Sequence, residues 1–185
     1  MHKILPNFYH FIDDLNIDKI IKIHKQIAII YRNNEVYPNI KQLINFRNYC
    51  KNNKRIFLIA NNFNFAFRYK LDGFYISAFN KVNINKFISS RLIVVGSAHS
   101  FKEIKIKEKQ AVDQIFLSPI FKTSKSNKFL GLFRFNLLSN YTNVPIIALG
   151  GVNTHNIKKI KMTNSIGIAS IKYIQKYKKI SKIIL

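Results

Sequence analysis

Short, nearly continuous apolar runs recur along the whole chain, and a polar turn follows each of them. Runs of this kind, rich in Ile, Val, Leu and Phe, are typical of strands that are buried on both faces, as in parallel sheets. We therefore predict a strand at each run. The eight predicted strands cover residues 7–12, 27–31, 56–60, 73–77, 92–96, 114–118, 145–150 and 166–170.

The segments between these runs carry apolar residues at helical spacing, which predicts helices. Ser100, followed by Glu103, forms a capping box at the start of one helix, and Thr154 is the predicted cap of another. The predicted helices cover residues 15–25, 39–53, 62–70, 82–90, 100–110, 133–142, 154–164 and 173–184.

Regular alternation of eight strands with helices predicts an α/β protein with a single domain over residues 1–185, folded as a small (β/α)8 TIM barrel. The chain is short for this fold, which usually takes about 250 residues. The alternative is an open, doubly wound sheet. We favour the barrel because the strand count reaches eight and no GxGxxG motif follows any of the strands.

The charge balance is strongly basic, with 31 Lys and Arg residues, 8 Asp and Glu residues and a net charge of +23. Such a charge can indicate nucleic-acid binding. The lysines are scattered over several predicted helices, however, and Lys, Asn, Ile and Phe are all used heavily, as a nucleotide bias toward A and T would produce. Nucleic acid is therefore not the expected partner, although a positive field would attract phosphorylated substrates.

Other features of the composition limit the location of the protein. Cys50 is the single cysteine, which excludes an internal disulfide and fits a reducing cytoplasm. No apolar run approaches the roughly 18 residues of a membrane span. The N-terminus reaches Asp13 without a long apolar stretch, so no signal peptide is expected. We expect a cytoplasmic protein that does not bind membranes, and a homo-oligomer remains open.

In a TIM barrel, the chemistry lies at the carboxyl ends of the strands. Gly150 and Gly151 follow the seventh predicted strand and would let an anion approach the backbone closely. The helix predicted to begin at Thr154 would add N-terminal amides, and Lys172 would add a positive charge. These residues predict a phosphate site, with an ordinary strand-to-helix turn as the alternative.

Ser97 and His99 follow the fifth predicted strand and lie on the same side of an extended chain. The His99 imidazole could bind a ligand or transfer a proton near neutral pH. The alternative is that His99 caps the following helix. The other histidines show no spacing typical of a zinc site.

Four segments of the second half resemble, in order, the thiamine phosphate synthase/TenI family: VVGSAHS, DQIFLSPIFKTSKSNKFLGL, VPIIALGGVNTHNI and SIGIASIKYI. The first half is matched more thinly, through IIYRNN, FLIANN and LDGFYIS. The resemblance implies a TIM barrel that joins a pyrimidine diphosphate to a thiazole phosphate in thiamine biosynthesis. In the TenI branch it implies tautomerisation of the thiazole.

The resemblance also implies functional residues. Ser97 and His99 match the segment that carries a Ser and a His, and we take both as catalytic. The predicted substrate-binding residues are Arg32, Asn61, Thr123, Lys125, Gly150, Gly151, Ser170 and Lys172.

Two departures from the family pattern concern the metal. The positions that carry magnesium-binding Asp residues in the synthases are Asn62 and Asn80 here. A neutral amide is a poor substitute for a carboxylate, so a dedicated Mg²⁺ cage is not expected and Mg²⁺ is a doubtful cofactor. Asp13 or Glu35 could supply a carboxylate instead, or the lysines of the loop after the sixth strand could neutralise a diphosphate directly.

Three functions are compatible with these residues. The leading hypothesis is a synthase-like transferase that acts on a pyrimidine diphosphate and a thiazole phosphate. The second is a TenI-like thiazole tautomerase, which needs the phosphate site and His99 but tolerates Asn62 and Asn80. The third is a barrel that binds a phosphorylated ligand without catalysis.

Overall fold

Eight parallel strands form a closed barrel in sequential order, and β1 pairs with β8 to close it. The computed structural model describes residues 3–33, 38–82, 91–124 and 126–174. The closed sheet confirms the predicted (β/α)8 barrel and excludes the alternative of an open, doubly wound sheet. The strands are β1 (Phe8–Ile12), β2 (Ala28–Tyr31), β3 (Phe57–Ala60), β4 (Gly73–Ile76), β5 (Ile93–Ala98), β6 (Gln114–Leu117), β7 (Ile146–Leu149) and β8 (Gly167–Ser170).

Helices follow most of these strands. The α-helices of the described segments are α1 (Ile40–Asn52), α2 (Phe63–Arg68), α3 (Phe101–Lys109) and α4 (Gly131–Ser139). Two 3₁₀-helices, Ile17–Lys19 and Ile157–Met162, follow β1 and β7. The helices predicted at 82–90 and 173–184 fall mostly outside the described residues, as do Glu35 and Lys125.

The α-helix predicted over 15–25 is wrong, because only the 3₁₀-helix Ile17–Lys19 forms there. The reason is the buried side chain of Arg55, which comes from the segment before β3. Its guanidinium binds backbone carbonyls of tight turns in this region, of which those of Ile20 and His24 also accept from the N–H groups of Ile23 and Ile27, three residues on, at 3.0 Å each. The acceptors are the carbonyl oxygens of Ile20 (3.5 Å), Ile23 (2.6 Å), His24 (3.1 Å) and Ile27 (3.2 Å).

The cap predicted at Thr154 is also wrong. The Asn153 side chain accepts hydrogen bonds from the backbone N–H groups of His155 (2.9 Å) and Asn156 (3.2 Å). An Asn turn of this kind bends the chain before a helix can start. The helix after β7 is consequently the short 3₁₀-helix Ile157–Met162.

Aromatic side chains fill the inside of the barrel. Tyr9, Phe11, Tyr75 and Phe116 are all buried there and form one contiguous cluster. The ring centroids are 5.2 Å apart for Phe11 and Tyr75, and 4.8 Å apart for Tyr9 and Phe116. Such pairs add to the stabilisation from burial alone. The cluster therefore makes the barrel interior a packed floor beneath the carboxyl ends of the strands.

Candidate active site at the carboxyl ends of the strands

One group of polar side chains stands directly on this aromatic floor. The hydroxyl of Tyr75 donates to Ser97 Oγ over 2.8 Å, and both residues are buried. The Arg32 guanidinium lies 4.7 Å from the centroid of the Phe11 ring, in the geometry of a cation–π contact. Burial raises the pKa of Tyr75, while the hydrogen bond to Ser97 and the charge of Arg32 act in the opposite direction. Arg32 and Ser97 are thus brought together through Tyr75.

A second group links the rims after β3 and β4. Asn61 has a left-handed backbone, with φ of 54°. Its Oδ1 accepts from the backbone N–H and the hydroxyl of Ser77, each at 2.9 Å, and from Asn80 Nδ2 at 3.3 Å. Asn61 thereby ties the two loops into one wall of the barrel mouth.

His99 bridges the ends of β5 and β6. Its Nδ1 lies 2.7 Å from the carbonyl oxygen of Ser118 and 3.2 Å from the hydroxyl of the same residue. In the neutral tautomer that donates from Nδ1 to this carbonyl, Nε2 is the acceptor nitrogen. The ring is oriented by Ser118 and has one nitrogen for a ligand or a proton.

The backbone of His99 takes part in the cap of α3. Ser100 Oγ accepts from the N–H of Glu103 at 3.4 Å, as predicted. Glu103 reaches back one residue further than in the usual box, because its Oε2 accepts from the N–H of His99 at 2.6 Å. His99 is therefore both part of a helix cap through its backbone and oriented at the barrel mouth through its ring.

Gly150 and Gly151 are required by the packing of their own turn. Both have a left-handed backbone, with φ of 92° and 73°. A Cβ on Gly151 would lie 2.4 Å from the carbonyl oxygen of Phe121, and one on Gly150 would lie 2.8 Å from Pro119 Cβ. The absent side chains let the loop after β6 pack against the turn after β7. Anion binding at these glycines stays a prediction.

Other predicted residues are distributed around this rim. Thr123 lies beside Gly150, since its Cγ2 would be 3.7 Å from a Cβ placed there, and its Oγ1 accepts from the N–H of Ser126 at 3.1 Å. Lys172 is exposed at the end of β8. Ser170 Oγ caps the turn after β8 by accepting from the N–H of Tyr173 at 2.8 Å.

The residues at the family's metal positions do not fit a magnesium ion. Asn62 Oδ1 caps α2 by accepting from the N–H of Phe65 at 3.0 Å, and Asn80 Oδ1 accepts from the N–H of Val82 at 3.0 Å. The amide oxygens are already engaged, and Mg²⁺ prefers carboxylate oxygens in octahedral geometry. Asp13 is exposed, and no cluster of three or more His, Cys, Asp or Glu residues occurs in the described segments.

Sequence reasoning missed two residues that organise this site. Tyr75 lies in an apolar run, where a tyrosine is ordinarily a core residue, but its alternation with Ser77 places both side chains on the same face of the strand. Lys107 lies on the buried side of α3, in register with Ile104, and was counted among the scattered lysines. A lysine at an apolar position of an amphipathic helix was the available signal.

Within the residues that the structure describes, no helix combines the length and apolar character that a membrane crossing requires.

Known proteins resemble this chain in sequence and in fold. The profile of the family described as thiamine monophosphate synthase matches residues 14–174. The thiamine-phosphate synthase of Methanococcus vannielii is 29% identical over 123 residues, which cover 64% of this chain and 59% of that protein. The thiamine-phosphate synthase of Prochlorococcus marinus (strain SARG) is 33% identical over 132 residues, which cover 69% of this chain and 37% of that protein. The chain thus matches less than two thirds of the length of either relative.

Among solved structures, the fold is similar to that of a thiamine phosphate pyrophosphorylase from Pyrococcus furiosus. The TM-score is 0.78 at 18% sequence identity, and the match covers 97% of this chain and 98% of that one.

Proposed function

Because the chain belongs to the thiamine monophosphate synthase/TenI family over residues 14–174, we propose that it joins hydroxymethylpyrimidine diphosphate to thiazole phosphate. The observation that carries this proposal is the group formed by Arg32, Tyr75 and Ser97 on the aromatic floor of the barrel. It supplies a cation for a diphosphate and a hydroxyl oriented at the barrel mouth, where TIM barrels hold their substrates.

We assign the pyrimidine diphosphate to the side of the barrel mouth formed by the ends of β2 to β5. Arg32 is a fixed cation that can hold diphosphate oxygens through several N–H groups. Ser97 accepts its hydrogen bond from Tyr75, so its own hydroxyl proton can be donated to the substrate. Asn61 and Ser77 form the neighbouring polar wall.

The thiazole phosphate is placed on the side of β6 to β8. We assign Thr123, Gly150 and Gly151 to its phosphate, with Lys172 as the nearby cation. Lys125, in the same loop as Thr123, is the further cation that the family resemblance adds. The packing of Thr123 against the glycine turn supports a common site for these residues.

The reaction needs a leaving group to depart and a new bond to form. The carbon–oxygen bond between the pyrimidine methylene and the diphosphate breaks, and the diphosphate leaves with the electron pair. The thiazole ring nitrogen then forms a carbon–nitrogen bond to that methylene and becomes positively charged. Negative charge develops on the departing diphosphate in the transition state. A preorganised cation such as Arg32 therefore stabilises the transition state more than the bound substrate, which lowers the barrier.

A thiazole tautomerase is the second candidate, and the geometry of His99 favours it. The contact between Nδ1 and the Ser118 carbonyl leaves Nε2 as a base of defined orientation. Moving a proton on a bound thiazole phosphate needs this nitrogen and the phosphate site. It does not need carboxylates at Asn62 and Asn80.

Incubation of the purified chain with both substrates, with Mg²⁺ or with EDTA, tests the proposal through detection of thiamine phosphate. We expect product, and we expect Ser97→Ala to lower kcat/KM. Absence of product together with tautomerised thiazole that disappears in His99→Gln would replace the synthase by the second candidate. His24→Gln, a histidine outside the site, is the matched control. Binding of thiazole phosphate without either reaction would leave a non-catalytic ligand-binding barrel.

We also propose that the enzyme acts in the cytoplasm. Support comes from Cys50, which is buried as a free thiol and fits a reducing compartment. Fractionation of the source cells tests the location, and light scattering of the purified chain tests whether it forms a homo-oligomer.

A further inference from the structure

Lys107 is a fully buried lysine that pairs with no carboxylate of the described residues. It lies on α3, and its ammonium donates to the carbonyl oxygens of Ser77 (2.8 Å) and Asn80 (2.9 Å) and to Gln110 Oε1 (2.9 Å). An ammonium has three protons to donate, and here each has an acceptor. Burial of a charge is costly unless hydrogen bonds satisfy it in this way. The site therefore requires all three acceptors around the ammonium.

The strand beside Lys107 is adapted to its side chain. A Cβ placed on Gly96 of β5 would lie 2.8 Å from Lys107 Cδ. The lysine stem therefore crosses the strand at the one position of β5 that lacks a side chain. This fit lets the ammonium reach from the helix layer to the loop that follows β4.

Gln110, the C-cap residue directly after α3, contacts the same loop. Its Nε2 donates to the carbonyl oxygens of Asn80 (3.2 Å) and Val82 (2.7 Å). Together with Lys107, it gives the loop after β4 four hydrogen bonds from one helix. Hydrogen bonds to a charged donor are stronger than neutral ones, so Lys107 dominates this set.

The other side of the loop forms the wall of the barrel mouth. Ser77, whose carbonyl is bound by Lys107, donates its own N–H and hydroxyl to Asn61 Oδ1. Asn80, bound in the same way, donates to the same oxygen through Nδ2. A displacement of the loop would therefore separate both residues from Asn61.

We propose that Lys107 is a positioning residue for the substrate site: its ammonium fixes the loop of residues 77–82, and thereby holds Ser77 and Asn80 against Asn61. Lys107 does not touch substrate. The assignment of this wall to the pyrimidine diphosphate rests on the proposed function.

The electrostatic state of Lys107 supports this role. Burial lowers the pKa of Lys107 to about 8, and the charge of Glu103, one turn earlier on α3, acts in the opposite direction. The ammonium is thus the form present at neutral pH, with all three donors engaged.

The test compares Lys107→Met, which keeps the length of the stem, with Lys109→Met, which removes the same charge from an exposed position of α3. Amide hydrogen exchange of residues 77–82 is the first measurement and needs no substrate. We expect exchange in Lys107→Met to rise about tenfold or more, with no change in Lys109→Met. Unchanged exchange in the loop, or an equal rise throughout the chain, would overturn the proposal.

Lys107→Gln is the second variant, in case Lys107→Met does not fold. It removes the ammonium but keeps a polar side chain at the same position, and a local rise in exchange of residues 77–82 is expected. Exchange of the loop at the wild-type level in this variant would overturn the proposal.

Steady-state kinetics test whether the loop of residues 77–82 contributes to binding of the pyrimidine diphosphate. We expect Lys107→Met to raise KM for the pyrimidine diphosphate about tenfold and to leave KM for thiazole phosphate within about twofold. Equal effects on both would overturn the assignment of the wall. If the wild-type chain makes no thiamine phosphate, the proposed function fails, while the exchange measurement still decides the role of Lys107.

Discussion

A single phenol joins the aromatic interior of the barrel to its mouth. Tyr75 packs against Phe11 and Phe116 and donates to Ser97, so it belongs both to the core and to the candidate site. Removal of its hydroxyl should affect the site more than the core, because the ring that fills the space is retained.

For Tyr75→Phe we expect kcat/KM to fall about tenfold, since Ser97 loses the donor that orients it. The melting temperature should change by only a few degrees. Steady-state kinetics and thermal unfolding are the measurements. Ser97→Ala and the double variant complete a cycle, in which the two losses should be much less than additive. Fully additive losses would mean that the two hydroxyls act separately.

The glycine turn after β7 gives a prediction about stability. Gly151→Ala places a methyl group 2.4 Å from a backbone carbonyl oxygen at a φ of 73°, and we expect it to cost roughly 2 to 4 kcal/mol in the free energy of unfolding. Gly131→Ala is the matched control, because its φ is 69° and its nearest contact lies at 4.0 Å.

Urea unfolding distinguishes the two variants. Gly131→Ala should cost about 1 kcal/mol, the strain of the left-handed backbone alone. A cost for Gly151→Ala no larger than this would show that the loop after β6 moves away freely, and the packing role of Gly151 would then be wrong.

Residue by residue, the sequence predicts positions better than contacts. Alternation along the fifth strand was enough to predict that Ser97 and His99 lie on the same side of an extended chain, because side-chain direction in a strand has a fixed period. It could not show that Ser97 binds Tyr75 while His99 binds Ser118, since Tyr75 lies on β4 and Ser118 directly follows β6. The glycine pair was noticed for its bare backbone, but the neighbour that requires it comes from a loop thirty residues earlier.

At the scale of elements, Arg55 holds the segment in which an α-helix was predicted. Its guanidinium binds four backbone carbonyls of the segment between β1 and β2. Burial lowers the pKa of Arg55, yet arginine stays charged in proteins. The cost of burying this cation is offset by its hydrogen bonds to these four carbonyls.

For Arg55→Met we expect a loss of about 3 kcal/mol in the free energy of unfolding, because the buried carbonyls lose a charged donor. Arg68→Met, which removes an exposed arginine of α2, should stay within about 0.5 kcal/mol. Chemical denaturation measures both. Equal losses would mean that the segment before β2 is held by its buried isoleucines alone.

The strands were predictable and two of the helices were not, for a physical reason. A strand buried on both faces is a continuous apolar run, and runs as short as these, flanked by polar turns, favour strands over buried helices by their length. The apolar spacing of residues 15–25 fits two structures equally well: an α-helix, or a series of turns that buries Ile20, Ile23 and Ile27. The choice between them depends on Arg55, whose contacts are tertiary and cannot be seen in the local pattern.

At the scale of the whole molecule, the basic side chains far outnumber the acidic side chains with which they could form ion pairs. There are 31 Lys and Arg residues against 8 Asp and Glu residues, and the described segments contain three salt bridges. Self-repulsion of this kind destabilises the compact state, while the same field attracts anionic substrates. The charge therefore has opposite effects on stability and on substrate capture.

Salt should separate these two effects. Between about 20 and 300 mM NaCl the Debye length falls from roughly 20 Å to below 10 Å, so the melting temperature should rise by several degrees. Over the same range kcat/KM for the anionic substrates should fall several-fold, because screening slows their capture. Sucrose, an uncharged stabiliser, should raise the melting temperature without this effect of ionic strength on kcat/KM. A melting temperature independent of salt would show that the lysines are spaced too widely to repel one another, and a constant kcat/KM would show that local contacts such as Arg32, not the overall field, select the substrates.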